Sequence, residues 1–375
     1  MMTLKNTNTK KGKAAVCYEL GTPMDIVEYP LPDVGPDDML VKITMACICG
    51  SDLHFQKKEY VQGFSPTKEK PWIMGHEMTG RIYKMGKNVK TDFLGNPLKE
   101  GDRIVYSYFA PCGKCWACLN GSGACPNRNR LRGSCSEYPY FRGAYAEYYY
   151  LLPDYWTFKV PDELPDESVA SANCALSTVT SGLNKIGIPF EGKVVIQGAG
   201  GLGISAAAVA KEMGAAQVII IDRLAHRLEL AKSFGADFTI DLNDYPMAED
   251  RIDKVNRITG GTGADVVVEV VGYPEVIAEG IDMLRIDGKY LTMGLVTGGM
   301  TSKIDIAKLV RGQKTIMGSC PYDAWTLPSA LEFLLRNKDR FPFHKLISHT
   351  FSLEDINTAF KEAMAGNVSR AAIVP

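Results

Sequence analysis

Ala46-Cys47-Ile48-Cys49-Gly50-Ser51-Asp52-Leu53-His54 packs thiols, a hydroxyl, a carboxylate and an imidazole into one short stretch. Together Cys49, the His76-Glu77 pair and a lone Cys174 offer the sulfur, nitrogen and oxygen donors that hold zinc with one position left open. Ser51 and His54 then remain as proton carriers, because imidazoles as a class titrate near working pH. A second thiol-rich run, Cys112, Cys115 and Cys118 followed by Cys125, sits among Gly, Asn and Ser with no hydrophobic period, so neither helix nor strand is expected and a bound ion would order it. Four cysteines crowded in this way point to metal if the compartment is reducing.

The rest of the chain must position these groups. With 375 residues and 46% hydrophobic content it exceeds one ordinary core, so two domains are expected. A formal charge of −1 gives no electrostatic basis for binding nucleic acid or an anionic membrane, which leaves small molecules as the expected partners. Residues 1–13 are polar and lack the apolar segment of a signal peptide, and no apolar run is long enough to span a bilayer; a cytoplasmic protein is expected.

Before residue 160, short β segments at 14–18, 39–45, 78–84, 103–108 and 145–150 are broken by Pro30-Leu31-Pro32, Gly35-Pro36 and Gly95, the pattern of an irregular β-rich lobe. Residues 166–181 favour a helix with Cys174 and Thr178 on neighbouring turns. From Lys193 strands at 194–197, 218–221, 237–240, 266–270, 290–293 and 315–317 alternate with helices at 202–213, 224–234, 248–259 and 274–284. Uninterrupted apolar strands in that succession predict a parallel sheet covered on both faces. A helix after Trp325 is expected to take the chain back to the first lobe. The predicted domains are therefore 1–186 with 325–375, and 187–324.

Gly198-Ala199-Gly200-Gly201-Leu202-Gly203 lies between a predicted strand and helix, where glycines permit a tight turn against a pyrophosphate and the helix N-terminus supplies amide donors. Asp222, at the end of the next strand, is placed to bind ribose hydroxyls and to repel a 2′-phosphate, which favours NAD over NADP. Arg223 and Arg227 pull the other way, because an arginine accommodates that phosphate.

In order along the chain, Cys49-Gly50-Ser51-Asp52-x-His54, Gly75-His76-Glu77, the Cys112/Cys115/Cys118/Cys125 set and the glycine fingerprint resemble the zinc-containing medium-chain alcohol dehydrogenases. The resemblance covers nearly the whole chain from about Lys13. It implies an α/β fold in which a GroES-like catalytic domain, with a thiol-rich lobe at about 110–136, joins a Rossmann coenzyme domain. It also implies two zinc ions per subunit: a catalytic one on Cys49, His76 and Cys174 with Glu77 close by, and a structural one on Cys112, Cys115, Cys118 and Cys125. The interval from Cys118 to Cys125 is one residue shorter than the family pattern, which leaves Cys135 as the fallback ligand, and an inert buried thiol is the plain alternative for Cys174.

By the same resemblance an alcohol passes hydride to NAD and becomes an aldehyde or ketone, while its proton leaves through Ser51, the ribose hydroxyls and His54. Asp52 is expected either to accept from the free nitrogen of a ligand histidine or to cap a turn. Thr178, Val270 and Val271 are expected near the nicotinamide, Arg370 at the pyrophosphate or in solvent, and Tyr108 and Phe109 in the substrate pocket or the core. A homodimer or homotetramer is implied, with the strand at 315–317 extending the sheet across a two-fold axis. Primary, secondary or cyclic alcohols are the leading substrates. A polyol or amino-alcohol dehydrogenase is the alternative, and a nucleotide-binding protein with structural metal only is the alternative from another class.

Overall fold

The computed structural model describes residues 10–59, 65–130, 134–294 and 298–375. In the β-rich lobe a three-stranded antiparallel sheet places Lys11–Cys17 between Asp25–Pro30 and Trp72–Ile73. The larger sheet runs Thr157–Lys159, Arg103–Tyr106, Glu77–Met85, Met39–Cys47, Ala371–Val374 and His349–Ser352, with Tyr148–Leu151 also pairing to Met39–Cys47. Met39–Cys47 is buried on both faces along most of its length, and register shifts near Leu40 and Ile43 bend it so that both sides can be covered.

Pairing register decides where the chemistry emerges. Cys47 opposes Glu77 on one side and Ala372 on the other. The loops carrying Cys49, His76 and Arg370 therefore leave three adjacent strands at the same end of the sheet.

The second sheet is parallel throughout, in the order Phe238–Asp241, Gln217–Asp222, Lys193–Gln197, Ala264–Glu269, Leu284–Thr292, Thr315–Gly318. Strand order reverses between Lys193–Gln197 and Ala264–Glu269, and ligands of open α/β sheets bind outside the carboxyl ends at such a reversal. Gly198 and Val270 are the residues that follow. The helix Gly201–Glu212 presents Ala206, Ala207 and Ala208 fully buried, small enough to let it lie close on the sheet.

Several elements differ from expectation for visible reasons. The aromatic strand begins at Tyr148, because residues 145–147 make only an isolated bridge to Lys11–Cys17, with the Glu147 amide donating to the Lys13 carbonyl and the Ala15 amide to the Tyr145 carbonyl. The expected helix at 166–181 is three pieces: Asp166–Val169, a wide π-helical turn at Ala172–Leu176, and Ser177–Ile186. In the thiol-rich lobe Trp116–Leu119 forms a single helical turn where none was expected. Thr326–Arg336 packs on the helical pieces between Asp166 and Ile186, in a core that holds Val105 and Phe158 as well as Val194 and Ile196, and His349–Ser352 then joins the first lobe's sheet. Among the described residues no helix is long and apolar enough to cross a membrane.

Candidate active site

Cys49, His76, Glu77 and Cys174 converge, all buried, with one donor atom of each within 4.8 Å of the others. Cys174 Sγ stands 3.4 Å from His76 Nε2. Tetrahedral zinc with its usual bond lengths would set a sulfur and a nitrogen about 3.6 Å apart, so the donors already stand at the edge length of such a site. Glu77 Oε1 is buried without a hydrogen-bond partner while its Oε2 is paired with Arg370, so one carboxylate oxygen keeps lone pairs that a cation would satisfy. The residues present fit zinc.

Local sequence explains the convergence. Gly75 adopts φ +85°, and a Cβ there would strike the Tyr145 ring at 2.8 Å, so only glycine lets the chain turn and deliver His76. Cys174 sits in the π-helical turn, a feature that gathers at functional sites. Ser177 Oγ donates to the Ala172 carbonyl at 2.6 Å, and Asn173 Nδ2 donates to the carbonyls of His76 (3.0 Å) and Tyr106 (2.9 Å). Asn173 thereby ties the Cys174 turn to the His76 turn, and nothing in its sequence context announced this.

Behind the ligands, fully buried Asp52 accepts from Tyr145 Oη at 2.8 Å and from the Cys49 amide at 3.1 Å. Its other oxygen faces His76 Nδ1 at 3.4 Å. The Cys49 amide contact makes Asp52 the capping-box partner at the start of the Gly50–Gln56 helix, and its second oxygen stands beside His76 Nδ1 without a hydrogen bond between them. Burial alone would lower the pKa of His76, but the Asp52 carboxylate and the Cys49 thiolate outweigh it and raise it to about 9. Cys49 is held well below the usual thiol range, first by its hydrogen bond with Cys174 and then by the His76 charge. Cys174 is raised by the same thiol contact and by burial.

The four-cysteine lobe forms its own cluster, with Cys115 Sγ 3.5 Å from Cys118 Sγ and 3.6 Å from Cys125 Sγ. Sulfurs on one tetrahedral zinc lie about 3.8 Å apart, so this set also fits the ion, and it is closed. Cys112 is lowered to about 6, chiefly by the Lys114 amide, whereas burial pushes Cys118 up to about 11. Cys135 is elsewhere, fully buried and bound to the Pro71 carbonyl, so it is no ligand here and the short Cys118–Cys125 interval closes on Cys125. Gly123 donates to Asp323 at 3.0 Å, and Lys185 pairs with the same carboxylate at 2.9 Å, docking the lobe on the main body.

A cleft of about 570 Å³ opens between the lobes, lined by Cys49, Gly198, Gly200, Gly201, Leu202, Asp222, Arg223, Arg227, Val270, Val271 and Arg370 among others. The nucleotide-site expectations thus meet in one groove. Gly203 and Thr178 lie off its lining: Gly203 leaves no room for a Cβ against the Gly198 carbonyl, and Thr178 is buried one turn beyond Cys174. Asp222 accepts from the amides of Ala199 (2.7 Å), Arg223 (2.7 Å) and Leu224 (2.9 Å). Arg227 reaches the Val368 carbonyl at 3.2 Å, and Arg223 is exposed.

Arg370 is not in solvent. Its guanidinium pairs with Glu77 and lies so close over Gly201 that a Cβ there would overlap it, which links the metal-type donors to the N-terminus of the glycine-loop helix. Buried Glu269 was also missed by sequence reasoning. It accepts from the amides of Val271 (2.8 Å) and Gly272 (2.7 Å) and from Thr292 Oγ1 (2.7 Å), which fixes the loop carrying Val270 and Val271.

Ser51 is half-buried in the first turn after Cys49, and His54 lines the cleft one turn further on. Tyr108 is partly exposed, its ring 5.1 Å from that of His76. Phe109 has no exposed surface and packs on Trp156 and Tyr322, so it backs Tyr108 from the core and does not line a pocket.

Known proteins share both halves. Residues 35–162 match the alcohol dehydrogenase GroES-like domain and residues 201–336 the zinc-binding dehydrogenase domain. The chain is 32% identical to 5-exo-hydroxycamphor dehydrogenase of Pseudomonas putida, covering 96% of this chain and 98% of that protein. It is 30% identical to L-threonine 3-dehydrogenase of Bacillus subtilis, with 93% and 94% covered. A crystal structure of an alcohol dehydrogenase from Thermotoga maritima superposes with a TM-score of 0.88 at 30% identity, over 98% of this chain and 100% of that one. The chain belongs to the zinc-containing medium-chain alcohol dehydrogenase family. It is an oxidoreductase built as a GroES-like lobe on a Rossmann sheet.

Proposed function

We propose that the protein is an alcohol dehydrogenase that uses NAD and two zinc ions per chain, one held by Cys49, His76 and Cys174 and the other by Cys112, Cys115, Cys118 and Cys125. The convergence of two thiols, an imidazole and a carboxylate beside the nucleotide-type cleft carries this reading. When bound, zinc supplies Lewis acidity that lowers the pKa of an alcohol hydroxyl, and NAD takes up the hydride.

The chain's own residues do the rest. The Asp52 carboxylate beside His76 Nδ1 favours the hydrogen there, so Nε2 is left as donor to a metal. Arg370 neutralises Glu77, so the carboxylate can stay buried next to the ligands. Ser51 and His54, on successive turns of one helix, carry the proton away. Asp222 on the cleft lining opposes a 2′-phosphate, which supports NAD, while Arg223 and Arg227 on the same lining pull the other way.

Tyr108 sets an aromatic edge beside His76, backed by Phe109 and Tyr322, so the side chains next to the ligands are aromatic and uncharged. That favours a primary, secondary or cyclic alcohol with an apolar body over a polyol or amino alcohol. Thr315–Gly318 is the open edge of the coenzyme sheet, and exposed Ile306, Val310 and Ile316 near it support pairing with a second copy, hence a homo-oligomer. No disulfide joins the described cysteines, which suits a reducing cytoplasm.

The test is a panel of alcohols and carbonyls followed by NADH absorbance, with a chelator control and metal analysis. About two zinc per chain and chelator-sensitive turnover are expected. One zinc and no turnover on any member would leave a nucleotide-binding protein with structural metal only.

A further inference from the structure

Glu59 lies just beyond the Gly50–Gln56 helix, and its Oε2 sits 2.5 Å from His54 Nδ1. The backbone repeats the tie, with the Glu59 amide donating to the His54 carbonyl at 3.0 Å. An ionised carboxylate only accepts, so this contact requires the hydrogen on Nδ1 and leaves Nε2 as a free acceptor. Nε2 is turned toward the coenzyme lobe: a Cβ built on Gly272 would stand 3.3 Å from it, and the Tyr273 ring meets the imidazole edge-on at 5.8 Å.

His54 therefore stands between two environments. On one side is the cleft, which it lines with Lys57, Tyr273 and Arg370. On the other is a carboxylate whose side chain is 26% exposed against 17% for the histidine. The adjacent Lys58 is committed to Glu19 at 3.0 Å and does not compete for Glu59.

We infer that Glu59 is the positioning residue of a His54–Glu59 pair that conducts the alcohol's proton from the cleft to solvent. Nε2 accepts the proton, the Nδ1 proton passes to the Glu59 carboxylate, and water removes it from there. One proton enters and one leaves, so the step needs no further reactant. The arrangement follows the logic of a carboxylate that fixes the tautomer of a catalytic imidazole. This inference rests on the dehydrogenase reading, and the test separates the two.

The first readout is independent of activity. Five histidines make ¹⁵N spectra of histidine-labelled protein assignable by substitution. In the wild type His54 is expected as the Nδ1–H tautomer, and Glu59→Gln is expected to mix the two tautomers. A wild-type Nε2–H tautomer overturns the inference even if every alcohol in the panel is oxidised.

The second readout is turnover of the zinc-loaded enzyme. Glu59→Ala should lower kcat about tenfold, within the range of a positioned proton carrier, and leave both KM values within twofold. Added formate should restore much of kcat in Glu59→Ala and none in His54→Ala, which a merely structural role for Glu59 would not produce. A kcat within twofold of wild type, or a loss that formate leaves untouched while zinc content and melting temperature are normal, overturns it. A wild type with no chelator-sensitive turnover removes the dehydrogenase reading, and the proton path with it.

Discussion

Replacing Arg370 with methionine isolates the ion pair that joins the two halves of the site. Arg370 and Glu77 have side-chain exposures of 4% and 0%, so after the substitution Glu77 is a buried carboxylate that has lost its ion-pair partner. Breaking such a pair from one side costs about 3–5 kcal/mol. Unfolding entropy near 2.1 cal/mol/K per residue gives about 0.8 kcal/mol per degree for 375 residues, so the melting temperature of the metal-free protein should fall by roughly 4–6 °C.

Adding Glu77→Gln removes the stranded charge and should recover most of that loss, because replacing both members of a buried pair is often nearly neutral. Coenzyme binding should behave differently. The guanidinium over Gly201 is absent in both variants, so the KM for NAD should stay raised about tenfold in the double variant. Calorimetry and initial rates on the four proteins of the cycle check this. If Arg370→Met melts within 1 °C of wild type, or the double variant melts no higher than Arg370→Met, the pair does not carry the load assigned to it.

Two further outcomes follow from the same geometry. Near pH 7 the metal-free protein keeps a proton on His76, whose pKa is raised to about 9, and another on Cys174, whose pKa is raised, while that of the Cys49 thiol is lowered. Zinc must displace the His76 proton and the Cys174 proton, so its affinity for this site should rise by at least about tenfold per pH unit up to about pH 9, where the His76 contribution ends; chelator competition from acid to alkaline pH measures it, and a flat response contradicts it. Asp222→Ser removes the charge facing a 2′-phosphate and should move the NADP-to-NAD ratio of kcat/KM upward by about 10- to 100-fold, roughly 1.4–2.8 kcal/mol. An unchanged ratio would mean that Arg223 and Arg227 already set the preference.

Residue type, spacing and the family resemblance together singled out Cys49, His76 and Cys174 as candidate donors, the four-cysteine lobe, the glycine turn with its acid, and the alternation of strands and helices after Lys193. These signals are legible because chemistry restricts them to few residue types, and because strand, glycine turn and helix follow one another locally. Tertiary structure decided what depends on register and long-range contact. Pairing of Cys47 with Glu77 and Ala372 brings three loops to one end of a sheet, and no local pattern encodes that pairing. Asn173, Tyr145 and Glu269 each act in part through hydrogen bonds to partners distant in the chain, a role that many polar residues could fill and that their neighbours do not reveal. Phe109 and Arg370 show the same limit from the side of burial. An aromatic residue beside the site went into the core and a charged one came out of solvent, because burial is set by what the rest of the chain packs around a residue.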